Sequence, residues 1–336
     1  MEENKKKSNG KLKKVIIACL IALALIALFI FNAFFPLKYL LCYFVKKSHA
    51  AAEGEAFVRF INVGYGDCAI IQFPDGKNLL IDSGNGSYSN DFKIIKELNK
   101  CGIDKIDYAI CTNIKEEHVN GFEDVFKLKS VDKFFCPYLP KNIESQKLYS
   151  AKIRAKEHGA EIIYNEYGAG AIGENYFFTM LSPTSYKSSE SEYEEMRKNP
   201  TDTNVCNTSA VVWINIYDTN FLFLSDVSSS VLKKIANSYL INQSGYCPMG
   251  EKFVNLEKCD VLKVSDHGHM RGANTQFHSL IKPDHAVICA GKNSREDCPS
   301  AKVIADLTLN ASVYITENYG DVTFKITNTN YFLIKE

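Results

Sequence analysis

Between Cys111 and Gly121 the chain reads CTNIKEEHVNG, which sets Glu116, Glu117 and His118 side by side in one short stretch. Carboxylate oxygens and imidazole nitrogens are donors that hold zinc and manganese. The stretch has the character of a metal-binding loop from which half the ligands have been taken out. The chain has seven histidines. His49 falls in a polar stretch, His158 ends a helical pattern, and His278 and His285 flank a helix-to-strand turn, so these four are expected at the surface. Eleven cysteines are present without a Cys-x-x-Cys pair. Cys68, Cys111 and Cys289 lie in apolar runs and read as small core residues with free thiols; Cys247 and Cys259 are the pair to check for a disulfide.

The elements that must position these groups follow from periodicity. FVRFINV, CAIIQF and NLLIDSG are short β-rich runs separated by Gly64, Gly66 and the turn Pro74 to Gly76, which predicts three strands in hairpin order. DFKIIKELN has helical spacing and IDYAICT reads as a buried strand, so the CTNIKEEHVNG stretch sits where a strand hands over to a helix. Strand and helix patterns then alternate through KFFCPYL, QKLYSAKIRAKEHG, EIIYN and YFFTMLS. Residues 185–204 are polar and charged and are expected as an exposed loop or short surface helix. SAVVWINIY and NFLFLSD predict a hairpin about Asp218 to Asn220, VSSSVLKKIANSYL a helix, and CDVLKVS, HAVICAG, SVYIT, DVTFKIT and NYFLIKE strands. Interleaved helices and strands require cover on both faces of a sheet.

The N-terminal region differs. Val15 to Pro36 is 22 residues without a charge, enough to cross a hydrocarbon core of roughly 30 Å. Six lysines precede it, which predicts a cytoplasmic N-terminus and an extracellular C-terminal domain. Small residues at Ala50 to Ala52 offer a signal-peptide site, yet they lie far beyond the apolar run, so an uncleaved single-pass anchor in the cell membrane is expected, with Cys19 buried in it. The expected organisation is a basic segment 1–14, an anchor 15–36 whose apolar stretch runs on toward 45, a linker 48–56 acting as a tether, and a domain 57–336. Residues 1–47 hold nine lysines and two glutamates, which leaves 30 basic against 37 acidic residues in the remainder. Strong sequence-independent nucleic-acid binding is therefore not expected.

From about Phe57 to Lys335 the chain resembles the metallo-β-lactamase fold, and within it the exported hydrolase domain of ComEC-type competence proteins. INVGYGDCAIIQFPDGKNLLIDSG, GIDKIDYAICT, FLFLSD, DVLKVSDHGH, GKNSREDCPS and VYITENYGDVTFKI carry the resemblance, the last as a terminal hairpin. It implies an α/β, four-layer αββα sandwich, preceded here by one transmembrane helix. In active relatives the loop reads Thr-His-x-Asp-x-Asp-His. Here Asn113 replaces the first His, Lys115 the first Asp and Glu117 the second Asp, while His118 is unchanged. An asparagine amide is a weak ligand for a transition metal and an ammonium is repelled by one, so the first metal position is expected to be empty. The resemblance implies that Glu117, His118, Asp226 and His267 hold one zinc or manganese ion, or that the quartet is a relic holding none. It further implies an orienting role for Asp82 and polar positioning by Asn207 and Ser209. Asp266 and His269 replace a family His and Ser, and Cys298, where the family has His, is either an extra ligand or a plain thiol.

Two functions follow from that resemblance. One is a membrane-anchored hydrolase of phosphodiesters in which Glu117, Asp226 and Lys115 take part in catalysis, Lys115 replacing missing positive charge. The other is an inactive module binding a ligand or partner on the old active-site face. β-Lactam hydrolysis is disfavoured because the opening segments match the competence-type branch, and DNA uptake because those channel proteins carry many spans.

Overall fold

The computed structural model describes residues 2–34, 36–139, 143, 145–185, 192–242, 246–291 and 297–334. The chain divides into two compact units, Met1–Val45 and Lys46–Glu336. The first contains α1 (Glu2–Phe34), followed by a 3₁₀ segment, Leu37–Phe44, once Pro36 has ended the α-helical ladder. Its stretch Lys11–Ala33, 23 residues, is the one helix among the described residues long and apolar enough to cross a membrane. The basic segment expected at 1–14 is continuous with that helix rather than a separate piece.

The second unit has two sheets. Its elements run β1 (Ala56–Phe60), β2 (Ala69–Gln72), β3 (Asn78–Ile81), α2 (Tyr88–Lys100), β4 (Lys105–Ile110), α3 (Glu116–Val119), α4 (Phe122–Leu128), β5 (Ser130–Cys136), α5 (Gln146–Glu157) and β6 (Glu161–Tyr164). There follow β7 (Gly170–Gly173), β8 (Tyr176–Ser182), α6 (Glu192–Lys198), α7 (Asp202–Cys206), β9 (Val211–Ile216), β10 (Thr219–Phe223), α8 (Ser229–Ile241) and β11 (Val261–Lys263). The chain closes with α9 (Thr275–Ile281), β12 (His285–Ile288), α10 (Ala301–Thr308), β13 (Ser312–Ile315), α11 (Thr316–Tyr319), β14 (Val322–Ile326) and β15 (Tyr331–Ile334). The first sheet has the order β15-β14-β1-β2-β3-β4-β5-β6 and the second β13-β12-β11-β10-β9-β8-β7.

Strand alternation makes the layers. Phe135, Phe178, Val212, Ile214, Phe221 and Phe324 turn inward and join one core between the sheets. Their neighbours in sequence point the other way: Trp213 and Leu222 meet Val231, Ile235, Phe277 and Val303 of α8, α9 and α10, while Phe134 meets Phe122 and Phe126 of α4 at ring-centroid distances of 5.2 and 5.1 Å. Helices thus cover both outer faces, giving four layers. Truncating one of the fully buried phenylalanines to Ala removes about 3–5 kcal/mol of stability.

Several expectations are refined. VYITENYGDVTFKI is not a hairpin: β13 pairs parallel with β12 in the second sheet, whereas β14 crosses to the first and pairs with β1 and β15. The apolar faces of both runs look alike in sequence, so the crossing between sheets is invisible there. The polar region 185–204 lies outside the described residues over 186–191, and the rest forms α6 and α7, where Tyr193 and Met196 are buried anchors. The linker is docked on the domain. His49 pairs with Glu97 and its carbonyl accepts from Arg59 at 3.0 Å, and Tyr217 donates to the Gly54 carbonyl at 2.9 Å. His278 is buried rather than at the surface, 2.6 Å from Asp306 of α10. Cys247 and Cys259 are free thiols.

Candidate metal centre

β3, β4 and β5 run parallel in one sheet and β10, β11 and β12 in the other, so the carboxyl ends of both sets open on one edge of the sandwich. Open α/β sheets place their sites at such ends. Asp82 follows β3, Thr112 and Asn113 follow β4, Ser225 and Asp226 follow β10, and Asp266 and His267 follow β11. Asp82, Ser225, Asp266 and His267 all have left-handed backbone conformations, with φ of 57°, 49°, 49° and 54°. Each costs of order 1–3 kcal/mol, and such strain persists where the surroundings over-determine it. They do so here. Asp266 N donates to Ser225 O at 2.8 Å, Ser265 Oγ to Val227 O at 2.6 Å, Ser300 N to Gly268 O at 3.0 Å, and Cys298 Sγ to His267 O at 3.1 Å.

Close approach of loops completes the frame. Asp67 N donates to Glu117 O at 3.1 Å, and a Cβ on Gly66 would stand 2.7 Å from that oxygen. Only glycine fits there.

Within this frame Glu117, His118, Asp226 and His267 each offer a donor atom, and all four atoms lie within 4.8 Å of one another. His118 Nε2 is 3.2 Å and His267 Nε2 is 3.6 Å from Asp226 Oδ1. Ligands at 2.0–2.2 Å about a tetrahedral ion are separated by roughly 3.3–3.6 Å, which these distances match. His118, Asp226 and His267 are wholly buried, and both Nε2 atoms and Asp226 Oδ1 lack a hydrogen-bond partner. Buried polar atoms are nearly always paired, so three converging exceptions mark a place for a cation.

The far nitrogens are fixed. His118 Nδ1 lies 2.9 Å from Asp82 Oδ2, and Asp82 also accepts from Thr112 N at 2.7 Å and Thr112 Oγ1 at 2.6 Å. His267 Nδ1 donates to Cys289 O at 2.8 Å, and the Tyr65 ring lies against His267 with centroids 4.5 Å apart. An Nδ1 that donates outward leaves an Nε2 lone pair for the centre, the arrangement of metal-bound imidazoles.

The same groups also hold a proton tightly among themselves, one that a bound cation would have to displace. Burial alone would neutralise Asp226, yet His118, His267 and Lys115 hold it well below the usual carboxylate range. Burial lowers the proton affinity of His118, but Asp226 and Asp82 carry it well above the usual imidazole value. Burial raises Asp82, against the pull of His118 and Thr112.

The other face of Asp226 is different. Lys115 Nζ lies 3.1 Å from Asp226 Oδ2, 3.2 Å from Asp202 Oδ1 and 3.7 Å from Glu117 Oε1. Burial disfavours its charge, but Asp226, Glu117 and Asp202 hold it protonated. Asn113 is committed elsewhere: its amide donates to Ser209 Oγ at 2.7 Å and its oxygen accepts from Lys115 N at 2.9 Å, an Asx turn that opens the loop into α3. Asn207 accepts from Ser228 Oγ at 2.6 Å. Asp266 is paired with Arg271, and His269 Nδ1 accepts from Arg271 N at 3.1 Å, with its side chain 37% exposed. These residues and Cys298 lie around the quartet and are not among the four converging donors.

Sequence reasoning passed over several groups that build the centre. Lys263 is buried and stays charged against the burial penalty because it pairs with Asp67; it also donates to Ser225 O at 3.3 Å. Asp67 in turn lies 3.4 Å from His267 and 3.6 Å from His118. A lysine inside the apolar run VLKV was the available signal for a buried ion pair. Cys206 Sγ lies 4.0 Å from Asp226 Oδ2, and burial, then Asp226, pushes its thiol up to about 12. Asp202 and Arg271, 69 residues apart, meet at the rim, and only the fold brings them together. A cavity of about 830 Å³ opens near Asn78 and Lys105 at the opposite ends of β3 and β4 and contains none of these groups.

No family model matches the chain. It is 25% identical over 295 residues to ComE operon protein 3 of Bacillus subtilis, covering 83% of this chain and 34% of that protein, so the chain spans about a third of the length of the relative it matches. Among solved structures it is similar to the metallo-β-lactamase fold protein YhfI of Bacillus subtilis, with 12% identity, 81% of this chain and 100% of that one covered, and a TM-score of 0.48. It is also similar to CmlA, a diiron β-hydroxylase of Streptomyces venezuelae, with 12% identity, 82% and 55% covered, and a TM-score of 0.46. With two sheets face to face, helices on both outer faces and the buried site at the strand ends, the chain is a four-layer α/β sandwich whose sequence is similar to ComE operon protein 3.

Proposed function

We propose that this chain is a membrane-anchored, metal-dependent hydrolase whose C-terminal domain works outside the cytoplasm on phosphodiesters, at a centre holding one divalent ion. The observation that carries the reading is the convergence of His118 Nε2, His267 Nε2 and Asp226 Oδ1, buried and without hydrogen bonds, beside Glu117. The donor set of two imidazoles and two carboxylates suits zinc or manganese. A divalent ion held there supplies Lewis acidity toward a phosphoryl group and water.

The chain's own residues do the rest. Asp82 and the Cys289 carbonyl hold the two rings in register. Solvent and substrate approach past Glu117, the least buried of the quartet, and Lys115, whose side chain is 10% exposed. Lys115 presents a fixed positive charge on the side of Asp226 away from the histidines, where it attracts an anionic substrate and steadies charge that grows in the transition state. Exclusion of water by the buried strand ends strengthens both effects.

The second reading, an inactive binding module, is favoured by the same lysine: an ammonium already neutralises one face of Asp226, as a relic site would need. Hydrolysis of bis(p-nitrophenyl) phosphate by the purified chain, with zinc or manganese and with chelator, separates the two. The hydrolase reading expects turnover that chelation abolishes and that Lys115→Ala lowers roughly 10- to 100-fold with metal retained, a loss set by one electrostatic contact to the transition state. Turnover unchanged in Lys115→Ala would remove the catalytic role of that residue, and no turnover with metal bound would favour the binding module.

A further inference from the structure

Asp202, at the start of α7, sits at the rim between two cations. Lys115 Nζ is 3.2 Å from its Oδ1, and Arg271 Nη1 donates to its Oδ2. Both cations also have an inner, buried partner. Lys115 lies 3.1 Å from Asp226, and Arg271 grips both oxygens of Asp266 at 2.9 and 2.6 Å. Asp202 is therefore the outer carboxylate of a set whose inner pairs are complete without it. Its side chain is 50% exposed, against 10% for Lys115 and 16% for Arg271, so it can swing into solvent while they stay in place. The helix does not depend on it either, because Thr201 provides the cap, accepting from Asn204 N at 3.2 Å.

Carboxylate and phosphate present the same chemistry to an ammonium and a guanidinium: anionic oxygens that accept several short, charge-assisted hydrogen bonds. The place Asp202 fills adjoins the metal centre, since Lys115 touches Asp226 Oδ2 while Oδ1 of the same carboxylate faces His118 and His267.

We propose that the space between Lys115 and Arg271 is a subsite for a phosphate group and that Asp202 occupies it as an internal competitor, released when a phosphate-bearing ligand arrives. That this ligand is a substrate rests on the hydrolase reading; the anion subsite itself does not. The chain thus carries its own weak inhibitor, which makes the site selective for anions strong enough to displace a carboxylate.

Binding of inorganic phosphate to the full chain in detergent, followed by titration calorimetry with and without a chelator, tests this. Asp202→Asn is expected to bind phosphate on the order of five- to tenfold more tightly than the unaltered chain, the scale of removing two partly exposed ion pairs that compete with the ligand. Asp202→Glu keeps the competitor and should stay within about twofold of it, by the same argument. Asp218→Asn, at the exposed β9–β10 turn, removes an equal charge elsewhere and controls for net charge. Equal phosphate affinity in the Asp202→Asn and Asp218→Asn variants, or weaker binding in the former, overturns the proposal. A gain that survives chelation supports the subsite even if no phosphodiester is cleaved. A gain that disappears with chelator assigns the phosphate to the metal centre and overturns it as well.

Discussion

Asp226 looks in two directions, and its two oxygens see opposite chemistry. Oδ1 faces His118 and His267, whose Nε2 atoms stand 3.2 and 3.6 Å away without hydrogen bonds. Oδ2 faces Lys115 at 3.1 Å, with Cys206 behind it at 4.0 Å. One side offers donors that suit a cation and the other holds a cation that belongs to the chain itself. The comparison teaches how one buried carboxylate can serve two kinds of partner: an ammonium on a side chain balances Oδ2, and Asn113 keeps the loop turned by bonding Ser209 and Lys115 N.

The largest effect should come from changing the Lys115 side. Asn113→His combined with Lys115→Asp places an imidazole and a carboxylate at these two positions and removes the competing charge. The bound metal per chain is expected to double, read by elemental analysis after dialysis. No increase would mean that the Lys115 side differs from the histidine side by more than its side chains, through the backbone or the rim.

A middle effect isolates the histidine side. Asp82→Asn preserves shape but weakens the acceptor that fixes His118, so metal affinity should fall about 10–100-fold, the scale for losing an orienting partner of a metal-bound imidazole. Competition with a chromophoric chelator measures it, and an unchanged affinity would show that the His118 ring needs no such support.

The smallest effect lies away from the centre and tests whether acid sensitivity belongs to it. Glu97 is pushed up by burial, but His49 and Lys100 bring it below its usual value. A carboxylate with a lowered folded-state pKa stabilises fully above its unfolded value, about 4.3, and that contribution is lost as pH falls through the lower folded value. Thermal unfolding of chelated protein should therefore lose stability below about pH 4.3, and Glu97→Gln should flatten part of that fall. An identical acid profile in the variant would assign the whole effect to other carboxylates.

Much of this was legible in the sequence, for physical reasons. Alternation along SAVVWINIY and NFLFLSD encodes two opposite faces, so the β9–β10 hairpin and its two cores could be read directly. The quartet was reachable through the resemblance of its loops to ComEC-type segments, and its members follow β4, β10 and β11. What was not legible depends on contacts between distant segments. VYIT and DVTFKI have the same apolar pattern, yet adjacent strands went to different sheets. Asp202 and Arg271 have no local pattern that pairs them, and His278 looked like a surface residue because its partner Asp306 is on another helix. The linker, polar and small, read as a tether because the bonds that dock it use backbone carbonyls of His49 and Gly54.

The most direct test of the half-site is the metal stoichiometry of the purified chain beside a His118→Ala, His267→Ala double variant. The account predicts one zinc or manganese ion per chain, absent from the variant. No ion in either protein, or two in the unaltered chain, would contradict it.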